Sequence, residues 1–336
     1  MSSAERILVV GPSWVGDMVM AQSLFISLKQ RWPGCSIDVL APGWSGPVLA
    51  RMPQVRSAIA MPLQHGQFAW SLRRQLGRSL AGQDYSRAIV LPRSFKSALV
   101  PFHAGIPVRT GYLGELRYGL LNDIRRLDET VLTQTVQRFV ALGQPRDAHQ
   151  PPTVPAPVLR VSPDNQAALM QQLELAGAAV ALLPGAEYGP AKCWPLEYFA
   201  DAARVLGERG YQVWVMGSQK DAAAGDVIAA GSGGAAVNLC GKTRLEDAID
   251  LLAASQAVIT NDSGLMHVAA AVDTRVIAIY GSTTPDFTPP LTDNAQVHYL
   301  RLDCSPCFKR VCPLGHLDCL KKIDVAQVLA GLPSVT

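Results

Sequence analysis

Three short stretches of this sequence carry side chains fit for chemistry. The first is Gly11-Pro-Ser-Trp-Val-Gly16-Asp17, where a short apolar run gives way to an amphipathic one. It has the glycine spacing of a phosphate-binding loop. However, Asp17 stands where such a loop carries its lysine, and a carboxylate there repels phosphate. The G-x-G-x-x-G dinucleotide fingerprint is absent as well. The loop is therefore suited to presenting an acid at a helix N-terminus, where the dipole favours negative charge, as an acceptor or a base. The plainer reading is that Asp17 caps a helix starting at Met18.

The second stretch, Pro184-Gly-Ala-Glu-Tyr-Gly-Pro-Ala-Lys192-Cys-Trp-Pro195, is an irregular loop after an apolar run. A lysine above the carboxyl end of a parallel sheet suits an anion such as a diphosphate; alone, it reads equally as a solvated surface lysine. The third is Asn261-Asp262-Ser263-Gly264-Leu-Met-His267 and the alanine-rich run that follows. Asp262 or Ser263 can cap a helix there, leaving the amides of Ser263 and Gly264 for an anion. His267 sits one turn in, where a histidine is either a packed polar residue or a participant. A further small-residue turn, Gly281-Ser-Thr-Thr-Pro285, follows the next apolar run. Three such turns at consecutive strand ends describe a nucleotide-diphosphate site in the second half of the chain. In the first half, Arg93, Lys96, Arg109, Arg117, Arg125 and Arg126 outnumber Glu115 and Asp123. That cluster reads as a receiver for an anionic acceptor or as a solvated face.

The elements that must position these residues alternate in period from end to end. Strands are expected at Arg6–Val10, Ser36–Leu40, Arg87–Leu91, Ala179–Leu183, Gln212–Met216, Ala257–Thr260 and Val276–Tyr280. Helices are expected at Met18–Arg31, Phe68–Ala81, Ser94–Ala104, Leu196–Arg209, Leu245–Ala254 and Gly264–Ala271. The alternation predicts an α/β fold of mainly parallel sheets covered by helices on both faces. Residues 145–163 hold six prolines and read as a stiff linker. Two doubly wound domains are expected, 1–160 and 161–336, facing a central cleft.

With 336 residues, 49% apolar and 17% charged, the chain has ample material for two cores and is not disordered. Thirty basic against 27 acidic residues is too mild an excess to argue for nucleic acid. No apolar run reaches the roughly 18 residues that span a bilayer, and the run at Ile7 to Val10 is too short for a signal peptide, so a soluble cytoplasmic protein is expected. Seven cysteines suit reduced thiols better than a disulfide framework. Four of them, Cys304, Cys307, Cys312 and Cys319, crowd together with His316. They read either as a structural zinc site or as reduced thiols in a loop; the irregular spacing favours the latter.

The stretches GPSWVGDMVMAQSL (11–24), LPRSFKSALVPFHAGIPVRTGY (91–112), LLPGAEYGPAKCWP (182–195) and TNDSGLMHVAAA (260–271) together resemble the ADP-heptose–lipopolysaccharide heptosyltransferases of glycosyltransferase family 9. The likeness runs through nearly the whole chain in order. It implies the GT-B architecture, with an N-terminal Rossmann-like domain for the acceptor and a C-terminal one for ADP-heptose. The last helix, near Asp324–Leu332, would cross back to the first domain. The implied reaction is inverting transfer of L-glycero-D-manno-heptose from ADP-heptose to the first heptose of the lipopolysaccharide inner core. The wording around Trp14 and through Arg93–Tyr112 favours that acceptor over Kdo2-lipid A. A nucleotide-sugar-binding module without activity is the reading from another class.

By the same resemblance Asp17 is the base. Lys192, Asp262, Ser263, Gly264 and His267, with Gly185 and Ser218, hold the donor nucleotide, and Arg93, Lys96 and Arg117 meet the acceptor. No cofactor or metal is implied. Relatives often place a ribose-binding glutamate after the turn that here reads Gly217-Ser218-Gln219-Lys220-Asp221, so Gln219 and Asp221 both remain candidates. The heptosyl-Kdo2-lipid A acceptor is membrane-anchored, which implies peripheral contact with the cytoplasmic face of a Gram-negative inner membrane.

Overall fold

The computed structural model describes residues 5–63, 66–175 and 177–335. The chain divides after Pro157 into two compact units. The first is a six-stranded parallel sheet of β1 (Arg6–Val10), β2 (Ser36–Pro42), β3 (Val55–Met61), β4 (Arg87–Val90), β5 (Val108–Tyr112) and β6 (Asp123–Arg125), in the order β3-β2-β1-β4-β5-β6. The second repeats the plan with β7 (Ala179–Leu183), β8 (Gln212–Val215), β9 (Ala236–Asn238), β10 (Ala257–Asn261), β11 (Arg275–Ile279) and β12 (Ala295–His298), in the order β12-β11-β10-β7-β8-β9. Both are doubly wound Rossmann-like sheets whose order reverses at one place, between β1 and β4 in the first unit and between β7 and β10 in the second. Ligands of such sheets bind in the crevice beyond the strand ends at that reversal.

Sequence dictates which strands are central. The side chains of β7 and β10 are buried throughout and those of β1 nearly so, because helices cover both faces, and their residues are correspondingly apolar. Leu8, Val10, Val90, Leu99 and Val100 share one core in the first unit, and Leu182, Trp194, Phe199, Val213, Ile259 and Ile277 another in the second.

Several expected elements differ in detail. The first helix runs from Val15 to Arg31, three residues earlier than expected. The expected helix at Ser94–Ala104 is a 3-10 turn, Phe95–Ala98, followed by a short α-helix, Leu99–His103. Pro101 explains the break. Its ring, which would clash with the carbonyl four residues back in a continuous helix, fits the first turn of a new one. The last helix, Val325–Leu329, contributes to the core of the second unit. Val328, Leu329 and Leu332 are buried there, and Arg209 Nη1 donates to the carbonyls of Leu329 at 3.0 Å and Leu332 at 2.6 Å. Among the described residues, no helix is long and apolar enough to cross a membrane.

Candidate functional site

In the first unit the loops after β1 and β4 flank the reversal of strand order. Gly11 turns the chain out of β1, its amide donating to Leu40 O at 2.9 Å. A Cβ there would lie 2.8 Å from Met18 Cε and 3.2 Å from Val39 Cγ1, so a larger residue at this exit would have to push the Met18 side chain aside. Trp14, not Asp17, occupies the N-cap position, and its side chain makes no capping bond. Asp17 is the third helical residue and is half-buried. The N-cap position itself thus belongs to Trp14, and the carboxylate stands inside the first turn, at the positive end of the helix dipole.

After β4, the segment Leu91–Ala98 is shaped by Arg117. This arginine has no exposed surface. Its Nη1 donates to Pro92 O at 2.7 Å, Ser94 O at 3.1 Å and Ser97 Oγ at 2.9 Å, and its Nη2 to Tyr112 O. Burial pulls its pKa down to about 10, with Glu115 pulling the other way. Arg117 is thus not placed as a ligand-facing cation; it is a clamp on the loop that carries Arg93 and Lys96.

The expected basic cluster also separates into parts with different jobs. Arg109 spends its guanidinium on the carbonyls of Leu120, Ile106 and Gly119, and Arg125 pairs with Asp123 at 2.9 Å. Arg93 is exposed, 3.3 Å from Glu129, and the Lys96 ammonium donates to Gln67 O at 3.3 Å. One field shared by six cations is therefore not what the structure presents.

In the second unit the loops after β7 and β10 meet at the reversal. Asn261, fully buried at the end of β10, joins them: its Oδ1 accepts from Trp194 N at 2.9 Å and its Nδ2 donates to Pro184 O at 2.7 Å. Next to it Asp262, 5% exposed, takes three donors. They are Lys192 Nζ at 2.5 Å, Thr283 Oγ1 at 2.6 Å and Thr288 Oγ1 at 3.5 Å. Lys192 Nζ also lies 5.2 Å from the centre of the Tyr188 ring, on the face where a cation is attracted. Of the two cap candidates, Asp262 and Ser263, the structure gives the position to Ser263, whose Oγ accepts from Met266 N at 3.4 Å. The helix Gly264–Ala271 follows, so its first amides open at the same strand end as Lys192.

His267 is 4% exposed. Burial lowers its pKa to about 4 despite the opposing pull of Asp262, and Lys192 adds to the lowering. It is a neutral imidazole at physiological pH. The turn Gly281–Thr284 contributes Thr283 to Asp262, while Ser282 Oγ is buried with no hydrogen-bond partner.

The two ribose candidates are held differently. Asp221 Oδ2 accepts from both Ser218 N and Ser218 Oγ at 2.8 Å. Its carboxylate rests on Gly185 and Gly217, where Cβ atoms would come to 2.5 and 2.8 Å of its oxygens. Gln219 lies instead over Gly241, which has φ +73°. The glycine of the loop after β7 is thus needed to seat Asp221, and Ser218 orients it.

Thr283, Thr288 and Asn261 were not anticipated individually. The only signal for them in the sequence was their place just beyond strand ends. All four clustered cysteines are reduced, and no group of three or more His, Cys, Asp or Glu among the described residues is arranged to hold a metal.

A doubly wound pair of sheets with a lysine–aspartate–threonine constellation at one reversal and an acid-presenting helix at the other is the framework of a GT-B glycosyltransferase. The profile of glycosyltransferase family 9 (heptosyltransferase) matches residues 73–318, and the chain belongs to that family. It is 49% identical to lipopolysaccharide heptosyltransferase 2 of Salmonella typhimurium, over 98% of each chain. To the Escherichia coli protein of the same name it is 50% identical over 87% of each. The solved structure of E. coli ADP-heptose LPS heptosyltransferase II superposes with a TM-score of 0.82 at 43% identity, covering 97% of this chain and 99% of that one. A family 9 glycosyltransferase from Veillonella parvula, 19% identical, shares the fold with a TM-score of 0.86 over 98% of this chain and 96% of that one.

Proposed function

We propose that this chain is an inverting glycosyltransferase that moves L-glycero-D-manno-heptose from ADP-heptose to the first heptose of the lipopolysaccharide inner core. The observation that carries the substrates is the 49% identity, across 98% of the chain, to a lipopolysaccharide heptosyltransferase 2. The alternative acceptor is Kdo2-lipid A, and nothing in the geometry favours it.

In this reading residues 161–336 take the donor and residues 1–160 the acceptor. The β-phosphate of ADP-heptose lies at the N-terminus of helix Gly264–Ala271, on the amides of Ser263 and Gly264. Lys192 offers a third N–H beyond the two contacts it makes to Asp262. Asp262, Thr283 and Thr288 hold that lysine, and neutral His267 packs beneath it. Gly185 and Ser218 set Asp221, and Asp221 or Gln219 takes the ribose hydroxyls.

The acceptor hydroxyl attacks the anomeric carbon on the face opposite the phosphate. Asp17 takes the hydroxyl proton, the new glycosidic bond forms as the bond to the phosphate oxygen breaks, and the electron pair leaves with ADP. Lys192 and the helix amides stabilise the negative charge gathering there. Arg93 and Lys96 receive the anionic acceptor, and Arg117 positions them. The enzyme works at the cytoplasmic face of the inner membrane as a peripheral protein.

The test is mass spectrometry of lipid products after incubation with ADP-heptose. Kdo2-lipid A and the same lipid already carrying one heptose are offered separately. Addition of one heptose only to the second supports the proposal. Addition to the first shifts it to the first-heptose reaction. Addition to neither, with ADP-heptose bound, makes the chain a binding module.

A further inference from the structure

The first unit carries an exposed aromatic cluster that the proposed chemistry does not use. Phe68, Trp70 and Phe102 are 49%, 44% and 40% exposed. The rings of Phe68 and Trp70 stack at 6.2 Å, Trp70 meets the His103 ring edge-on at 5.4 Å, and Phe102 lies 5.3 Å from the same imidazole. Isolated exposed rings are ordinary; three of them gathered about a half-buried imidazole are a surface.

Sequence builds this surface from two short helices. Trp70–Leu80 and Leu99–His103 touch at Gly77, where a Cβ would lie 2.6 Å from His103 Cβ and 2.7 Å from Val100 O. Only glycine lets the two ring pairs come side by side. The cluster is also fixed in place. Ala69, between Phe68 and Trp70, takes φ +40°, a left-handed conformation that alanine rarely adopts. Buried Arg73 holds it there, with Nε donating to Phe68 O at 2.7 Å and Nη2 to Gln67 O at 3.2 Å.

Neither of these two helices carries an acidic residue. Residues 62–114 contain seven lysines and arginines and a single acid, Asp84. Arg74 and Arg78 are exposed on the helix that bears Trp70, close enough to His103 that both depress its imidazole further after burial has done so. Arg109 lies over the Phe102 ring at 5.6 Å. Exposed phenyl and indole rings flanked by exposed cations are the composition of a surface that sits at the headgroup level of an anionic bilayer.

The patch is continuous with the acceptor loop. Arg73 Nη1 donates to Lys96 O at 3.3 Å, and Lys96 Nζ to Gln67 O at 3.3 Å.

We infer that Phe68, Trp70, Phe102 and His103, with Arg74 and Arg78, form the surface by which this protein docks on an anionic membrane, beside the loop that receives the acceptor. A lipid-anchored acceptor calls for membrane contact, and this aromatic face is where the geometry offers it. The inference rests on the proposed lipid-linked acceptor only for its purpose, since docking itself is independent of transfer.

The test is co-sedimentation of the full chain with phosphatidylcholine vesicles, with and without phosphatidylglycerol. Binding is expected only with the anionic lipid and falls as salt is raised. The Phe68→Ser/Trp70→Ser double variant is expected to lose roughly tenfold in vesicle partitioning, and Arg74→Glu/Arg78→Glu a similar factor. Both keep wild-type melting temperatures. Transfer to a deacylated, water-soluble acceptor is expected to be unchanged in both, while transfer to the vesicle-embedded acceptor falls.

Equal vesicle binding by wild type and variants would overturn the inference. So would loss of transfer to the deacylated acceptor, which would make the patch part of the sugar site. Self-association that the ring substitutions abolish, with no vesicle binding, would assign the surface to a second copy instead. If the wild type binds vesicles but transfers heptose to neither acceptor, the docking stands and the proposed reaction fails.

Discussion

Lys192 and Asp262 stand 2.5 Å apart, 70 residues distant in sequence, at the two loops that flank the reversal of strand order in the second sheet. Their side chains are 14% and 5% exposed. The pair is held further by Thr283 and Thr288 on the carboxylate. The lysine that faces the diphosphate in the proposed reaction is therefore pre-positioned, and part of its desolvation is already met in the free protein.

Removing one partner exposes both roles. Lys192→Ala leaves a buried carboxylate with only hydroxyl donors, so the second unit should lose about 3 kcal/mol of stability. ADP affinity should fall roughly tenfold or more, since a charge-assisted contact to phosphate is lost. Thermal melts and calorimetric titration with ADP check the two effects. An unchanged ADP affinity with the stability loss intact would confine the lysine to a structural part.

His267 gives a pH signature of known sign. Its folded pKa, about 4, lies below the ordinary 6.5. Above pH 6.5 neither state binds a proton at this ring. As the pH falls from 6.5 toward 4 the unfolded chain takes up a proton that the folded chain refuses, and stability drops by about 3 kcal/mol at most. His267→Gln lacks this contribution. Its urea midpoint, followed by circular dichroism, should decline less than the wild type's across that window, although both share the same carboxylates. Parallel curves would contradict the buried neutral imidazole.

Much of this was legible in the sequence, for a physical reason. The central strands β1, β7 and β10 are buried on both faces, which forces uninterrupted apolar runs, and the polar turns beyond them stand out by contrast. Three of the four edge strands, β6, β9 and β12, are three or four partly exposed residues each and carry no such run, so composition does not mark them. That Asp17 stands in the first turn of a helix was readable because its place in a glycine-spaced loop is local. That Thr283 and Thr288 support Asp262 was not, because those bonds span 21 and 26 residues and exist only once β10 and β11 pair. Arg117 misled because arginine is seldom fully buried. Nothing local reveals that four carbonyl and hydroxyl oxygens converge on it.

Arg117 itself is testable by a conservative change. A lysine cannot span Pro92 O, Ser94 O, Ser97 Oγ and Tyr112 O with a single ammonium. Arg117→Lys should cost about 2 kcal/mol of stability through the bonds left unmade. It should also raise KM for the heptosylated lipid acceptor several-fold while leaving KM for ADP-heptose near its original value. Steady-state kinetics with each substrate varied in turn reads the split. Equal changes in both constants would mean general loosening of the fold, not a specific hold on the Arg93–Lys96 loop.

The most direct measurement of the central claim is single-turnover transfer by the Asp17→Asn protein, paired with its affinity for ADP-heptose. The substitution keeps size and hydrogen-bonding capacity but removes the base. If Asp17 takes the acceptor proton, transfer slows by about a thousandfold while donor affinity stays within roughly a factor of two. Transfer at the wild-type rate would contradict the account, leaving Asp17 as a dipole partner of its helix and the base elsewhere.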